Sequence, residues 1–468
     1  MTEDDKSTKI QKNDSSAENR KINESSSDSI NEKSSESSNE SIDKKDRDNE
    51  LLPYSGSGSI FERTTSLIPK KNNRKNQSRQ NNTNNKAHAG YQIAEGYKLE
   101  YRMKRLLFHL GYYTRIGIDV RTSTDENSDK ITDLDVYGIY FHKDFTSKST
   151  WVDCKSGGVE IHKRISWIKG IMHEFPIDDV IFVVTGGKKT RTSVKQHARK
   201  SGILILDTIN IENLEKYYNI KSNDLRGSWN PNTQFNKINL LSSLELNSNV
   251  FKKIARFIAS DFWILDCYTQ SKRTITALKE LASALDLPLS PEQRNVISWA
   301  IYETTCLLLL SLLNISKELY YLSDSEKTET LYDGMISSDI PNKRRAEMFD
   351  TAFKVAYGVV KNHYPDLKLP EQMPTINMSP PTYFEALNDL VLRVTNNPLA
   401  YYDLLRFLDF TFMEYDLQNK DIDKNELEKI FANYSEIIVG AKTLLNFICH
   451  VTKIPRSFFK MLIQQISS

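Results

Sequence analysis

The sequence predicts a mixed central β-sheet flanked by helices, followed by an all-α region and preceded by a disordered tail. Apolar runs of strand length, first joined by short polar loops and then alternating with helical stretches, predict the sheet. Beyond it, apolar residues recur at helical spacing to the end of the 468-residue chain. The expected divisions are a tail over 1–88, an α/β domain over 89–220, a linker over 221–238 and a helical domain over 239–468.

The tail is predicted from its composition. Large apolar residues are scarce in the first fifty positions, which are rich in Ser, Asn, Glu, Asp and Lys. Such a segment buries too little surface to offset the entropy lost on ordering. From Lys70 to Lys86 the chain is basic and has no acidic residue. This stretch is expected to be either a solvated linker or an arm that contacts phosphates without reading sequence.

The elements of the α/β region follow in order. Apolar residues from Ile93 to Leu110 recur at helical spacing, and Gly111 stands where that helix should end. Three strands with short polar connections are typical of an antiparallel meander. The next strands are fully apolar and alternate with helices, as expected of central strands covered on both faces. The expected bounds are 113–120, 131–141 and 150–154 for the first three strands, 161–175 for a helix, 180–184 for a strand, 191–200 for a basic helix, 203–206 for a strand and 211–218 for a last helix.

Bulk properties exclude several classes of protein. The net charge of +2 by itself gives no evidence for a nucleic-acid partner. The four cysteines are widely spaced and form no CxxC or Cys/His pattern, which argues against structural zinc or a disulfide framework and suits a reducing cytosol. The N-terminus lacks the apolar core of a signal peptide, and the apolar stretch from Trp299 to Leu313 contains Glu303 and is too short to span a bilayer. We therefore expect a soluble cytoplasmic protein without membrane contact.

The helical region shows good helix signals but no recognisable chemistry. Ser290-Pro-Glu-Gln293 combines an N-cap serine, a first-turn proline and a glutamine placed to close a capping box. The periodicity of 407–415 and 427–445 is amphipathic. This region is expected to bind a protein partner or to mediate homo-oligomerisation.

Charged residues interrupt two of the predicted apolar strands. Asp135 lies in one strand, and Asp153 and Lys155 lie in the next. Residues at i and i+2 of a strand share a face, so Asp153 and Lys155 should project into one cleft. A carboxylate pair binds a hard cation, Mg²⁺ with Mn²⁺ as a substitute rather than Zn²⁺. Such a cation activates water and stabilises charge on a scissile phosphate, which predicts a metal-dependent phosphodiesterase site.

Two further acidic residues are candidates for the same cleft. Asp133 competes with Asp135, because the two share one face of the strand. Asp135 is preferred, since apolar residues flank it on both sides and place it deeper in the strand. Glu100, among the apolar residues of the first helix, is positioned to reach the cleft from there.

These residues carry a resemblance to the PD-(D/E)xK nuclease superfamily. Segment 96–112, with Glu100, is similar to its first helix, 132–138 resembles the strand with the metal-binding Asp, and 151–157 resembles the (D/E)xK strand. The pair Cys154-Lys155 is similar to that of Mrr-like restriction endonucleases, although the family often has Glu where this chain has Asp153. The resemblance covers about residues 90–218.

The resemblance implies a restriction-endonuclease-like core that cleaves DNA with Mg²⁺. By this similarity Asp135 and Asp153 hold the metal, Glu100 assists as ligand, and Lys155 orients the water or stabilises the transition-state charge. A role in restriction or defence against foreign DNA would follow. Two alternatives fit the same residues: a non-catalytic nucleic-acid-binding scaffold or regulator, and a nuclease directed at RNA.

A basic turn follows the fourth predicted strand. It contains Lys188, Lys189 and Arg191 and opens a helix, so its side chains and backbone N–H groups could contact a DNA phosphate. Its spacing is not that of a P-loop. The competing interpretation is a solvated turn.

Overall fold

The computed structural model describes residues 95–463, with gaps at 158, 176, 186–189, 235–236, 245–247, 338–341 and 368–378. The predicted tail over 1–88, including the basic stretch from Lys70 to Lys86, lies outside the described residues.

A five-stranded mixed sheet with strand order β1-β2-β3-β4-β5 organises the first half of the described chain. The first three strands pair antiparallel, and β3–β4 and β4–β5 pair parallel. The predicted meander and alternation with helices are therefore confirmed. The strands are β1 (Tyr113–Arg121), β2 (Lys130–Phe141), β3 (Ser147–Ser156), β4 (Asp179–Thr185) and β5 (Ile203–Asp207).

Helices cover both faces of the sheet. On one face α1 (Glu95–His109) and α4 (Thr208–Tyr217) pack on buried Val136, Val152 and Val183. On the other, α2 (Ile161–Glu174) and α3 (Thr192–Arg199) pack on a core that includes Trp151 and Phe182. In β3 the neighbouring side chains of Trp151 and Val152 thus enter opposite apolar layers, as expected of a strand covered on both faces.

The rest of the described chain is helical. Helix α9 (Pro291–Leu319), 29 residues long, is the described helix apolar enough to cross a membrane, yet 94% of its most apolar window is buried in the protein. It is a core helix, as the sequence predicted. The helices are α5 (Pro231–Gln234), α6 (Lys237–Ser242), α7 (Ser248–Ala259), α8 (Cys267–Ala284), α9 (Pro291–Leu319), α10 (Asp324–Ser337), α11 (Asn342–His363), α12 (Phe384–Asn396), α13 (Leu404–Thr411), α14 (Lys424–Ile430), α15 (Tyr434–Thr452) and α16 (Lys460–Ile463).

The α/β and helical regions share one hydrophobic core. Phe108 at the end of α1, Tyr113 in β1 and Phe141 in β2 belong to the same buried cluster as α8, α9, α13 and α15. The helical region also contacts β1 through α7, α13 and the 3₁₀ turn Asp261–Ile264. Residues 95–463 accordingly fall within a single compact unit instead of the two domains expected from the sequence.

The described residues of segment 221–238, which was expected to be a linker, are packed into this unit. The guanidinium of Arg105, itself 2% exposed, donates to the carbonyls of Lys221, Ser222 and Asp224 at 2.9–3.1 Å. Gly227 has a φ of +60°, and a Cβ there would collide with the ring of Phe410. These long-range contacts, which local composition does not reveal, correct the linker prediction.

A buried ion pair joins the sheet to the helical region. Arg115 of β1 and Glu303 of α9 are 3% and 0% exposed, and the Arg115 Nη1 donates to Glu303 Oε2. Gln234 links Glu303 Oε1, at 3.3 Å, to the buried ammonium of Lys104, at 2.6 Å. Burial lowers the pKa of Lys104 to about 8 and raises that of nearby Asp409 to about 6.

Breaking this pair should destabilise both regions together. Glu303→Leu or Arg115→Met alone leaves a buried charge without its partner, which costs about 3–5 kcal/mol. The double variant should be more stable than either single one, because neither charge then remains. Urea unfolding followed by fluorescence of Trp151 and Trp299 should show one coincident transition. As a control, Asp350→Ala removes an exposed pair with Lys354 and should cost less than about 1 kcal/mol.

Candidate active site

The strands β2 and β3 separate at the position of the predicted acidic residues. Their antiparallel pairing runs from Phe141↔Ser147 to Val136↔Val152 and ends there. On its other side β3 stays paired with β4 as far as Ser156. The Asp135 carboxylate fills the opening, since its Oδ2 accepts the Cys154 N–H at 2.7 Å. A side chain thus replaces a backbone partner at the point where the two strands diverge.

Lys155 lies between the two predicted carboxylates. Its Nζ is 3.1 Å from Asp135 Oδ2 and 3.1 Å from Asp153 Oδ1. Burial opposes the charged ammonium, but Asp153 and Asp135 outweigh it and raise the pKa of Lys155 above its usual value. One cation therefore contacts both carboxylates, which brings together the three residues singled out from the sequence.

Arg164 of α2 is a member of this cluster that the sequence reasoning missed. Its Nε donates to Asp153 Oδ2 at 2.7 Å and its Nη2 to Oδ1 at 2.6 Å, while the Asp153 side chain is 1% exposed. The guanidinium carbon lies 3.6 Å from the centre of the Trp167 ring. Arg164 falls within the apolar stripe formed by Ile161, Ile165 and Ile168, and a charge in that stripe is the signal that could have identified it.

Glu100 lies on α1 within the electrostatic reach of this cluster. Burial, reinforced by Asp135, raises the pKa of Glu100 to about 8, although Lys155 opposes the rise. Burial also raises the pKa of Asp135, against the opposing effect of Lys155. These surroundings therefore favour the protonated form of Glu100.

The remaining candidates lie apart from the cluster or outside the described residues. The Asp133 side chain is 58% exposed and pairs with Lys130 at 3.0 Å, and its charge makes only a minor contribution to the raised pKa of Glu100. Lys188 and Lys189 lie outside the described residues, and Arg191 is exposed just before α3.

The donors suit Mg²⁺ in type, but their present partners occupy them. Both are carboxylates reached by a single cation, the Lys155 ammonium, so their oxygens converge. Within the described ranges, however, no group of three or more His, Cys, Asp or Glu side chains is arranged to hold a metal ion. Mg²⁺ commonly binds through one or two carboxylates with water and substrate phosphate completing its shell. Asp135 and Asp153 fit that smaller role.

Comparisons with known proteins do not assign the chain to a family. No family model matches the sequence, and searches of curated proteins and of solved structures give no significant match. The resemblance stated above therefore depends on the motif residues themselves.

The raised pKa of Glu100 makes stability depend on pH. Between its usual value of 4.5 and about 8 the folded protein holds a proton that the unfolded chain has lost, so stability falls as pH rises through this window. Glu100→Gln removes the carboxyl and should raise the unfolding temperature at about pH 8.5 more than at about pH 5. The difference corresponds to on the order of 1 kcal/mol in the free energy of unfolding after allowance for solvent screening. Glu174→Gln, at an exposed position of α2, should show no such difference. An equal effect of Glu100→Gln at both pH values would contradict the assignment.

Proposed function

We propose that the region over 95–220 is a metal-dependent endonuclease of the PD-(D/E)xK type that hydrolyses DNA phosphodiester bonds. The observation that carries the proposal is the separation of β2 from β3, which brings Asp135 and Asp153 to the same Lys155 ammonium. The element order of helix, three antiparallel strands, helix and parallel strand supports it.

Each side chain has a definite role in this proposal. Asp135 and Asp153 would hold Mg²⁺, or Mn²⁺ in its place, and the bound cation would activate a water and offset charge on the phosphate. Glu100 would join them after losing its proton, because a ligating carboxylate must be ionised. Lys155 keeps its proton and presents a compact positive charge to the attacking water or to a phosphate oxygen.

A second candidate function has its own supporting observation. The bidentate Arg164–Asp153 pair uses both oxygens of one proposed ligand, as expected of a nuclease-like domain that binds nucleic acid without cutting it. An RNA-directed nuclease fits the same residues. The helical region would contribute a protein partner or oligomer contact, and a cytoplasmic role in defence against foreign DNA would suit the whole chain.

Substitutions in the cleft test catalysis. Lys155→Ala or Asp135→Asn should lower the cleavage rate at least about a hundredfold, because each removes charge that acts on the reacting phosphate or its metal. The assay is cleavage of plasmid, linear duplex, single-stranded DNA and RNA with Mg²⁺, Mn²⁺ or EDTA. Asp133→Asn, on the same strand but outside the cleft, is the matched control and should cleave at close to the wild-type rate.

The result also separates the two candidates. Wild-type protein that binds nucleic acid but never cleaves it with either metal would favour the scaffold. Cleavage retained by Lys155→Ala would remove the chemical basis of the proposed site.

The basic turn is tested by binding. Replacing Lys188, Lys189 and Arg191 with Gln should weaken DNA binding at all sequences alike, because phosphate contacts position the protein on DNA without reading the base sequence. The slope of log affinity against log salt should become shallower by about 2–3, since each phosphate that is no longer neutralised reduces it by about 0.9. Cleavage at saturating DNA should stay unchanged. Unaltered DNA binding would show that the turn is solvated surface without a DNA contact.

A further inference from the structure

The Asp153 carboxylate is already fully engaged by cationic side chains. Its Oδ1 contacts Arg164 Nη2 at 2.6 Å and Lys155 Nζ at 3.1 Å, and its Oδ2 contacts Arg164 Nε at 2.7 Å. Because the Asp153 side chain is only 1% exposed, a divalent cation can reach this carboxylate only by taking the place of at least one of these contacts. Arg164 is the partner that makes two of the three.

Arg164 has a second anchor that does not depend on Asp153. Its guanidinium lies over the Trp167 ring, which packs edge-to-face on buried Trp151 at 5.6 Å. The side chain is 23% exposed, so part of it is accessible to a ligand from solvent. A guanidinium held by its flat face can turn its edge from a carboxylate to a phosphate, because the same fork geometry fits both anions.

The surroundings of Arg164 favour an anion. It lies in the first turn of α2, which has no acidic residue and also contains His162 and Lys163. Helix N-termini attract phosphates through unpaired backbone N–H groups and the helix dipole. The preceding Glu160 is paired with Lys163 at 2.6 Å, so its charge is offset.

We propose that Arg164 couples the binding of nucleic acid to the binding of metal. This inference rests on the proposed function and names the event that prepares the site: a backbone phosphate of the nucleic acid draws Arg164 away from Asp153, and the metal replaces it there. If the metal binds alone, it displaces the Arg164 guanidinium, which is left without an anionic partner. If the phosphate binds alone, it removes Arg164 from Asp153, and a buried carboxylate loses its partner. When both ligands bind, the metal compensates Asp153 and the phosphate compensates Arg164.

Coupling of this kind is reciprocal and measurable. Calorimetric titration of the full-length protein with Ca²⁺, a hard cation with oxygen ligands, is done with and without a short DNA duplex, and a gel checks afterwards that the duplex is intact. In the wild type the duplex should raise Ca²⁺ affinity about tenfold or more, and Ca²⁺ should raise duplex affinity by the same factor. Arg164→Gln should bind Ca²⁺ more tightly than wild type without DNA and lose most of the coupling.

Two variants make the test specific. Lys169→Gln removes a positive charge from the same helix, at an exposed position beyond its first turn, and should keep the wild-type coupling. Arg164→Lys keeps the charge but lacks the planar, forked donor geometry of a guanidinium, so it should also lose coupling. This variant replaces Arg164→Gln in the test if Arg164→Gln fails to fold. Equal Ca²⁺ affinity with and without DNA in the wild type, or full coupling in both Arg164 variants, would overturn the proposal.

Failure of this inference is distinguishable from failure of the proposed function. If the wild-type protein cleaves DNA but shows no coupling, only the proposed role of Arg164 is wrong. If the wild-type protein shows coupling but cleaves neither DNA nor RNA, only the proposed nuclease activity is wrong, and the metal then serves nucleic-acid binding.

Discussion

The Arg115–Glu303 pair is the constraint on which the arrangement of the molecule depends. A guanidinium in the edge strand and a carboxylate in the central helix are both removed from water, so each requires the other in place. The pair fixes where α9 lies against β1, and the shared apolar core around it follows. A cleft in the sheet is therefore held by a helical region that contributes none of the cleft residues identified above.

The cleft itself illustrates how a sheet can hold unfavourable charges. Asp135 and Asp153 repel each other, yet Lys155, Arg164 and the Cys154 N–H compensate them within a small volume. Such compensation makes the cluster stable without a ligand. It also means that the same contacts which stabilise the resting site compete with any cation that enters it.

Much of the fold follows from the sequence because strands and helices bury side chains at fixed periods. β1, β2 and β4 begin and end within two residues of the expected positions. β3 is longer than expected, since its polar ends pair through backbone groups whatever their side chains. The packing of 221–238 and the Arg164–Asp153 contact escaped prediction for a common reason. The composition of 221–238 favours solvent-exposed chain and does not reveal its distant partner Arg105. The charge of Arg164 in an apolar stripe is visible in the sequence, but its partner Asp153 lies across a loop and is not.

The sequence separation of the central ion pair has a consequence for biosynthesis. Arg115 precedes Glu303 by 188 residues, so β1 leaves the ribosome long before its partner exists. The apolar surface of α9 must in turn wait for α13 and α15, which are made later still. Domains usually fold as they emerge, N-terminal first. Here Tyr113 of β1 and Phe141 of β2 gain all their apolar partners only when nearly the whole chain has been translated, and an exposed apolar α9 is the segment that chaperones would have to protect during that interval.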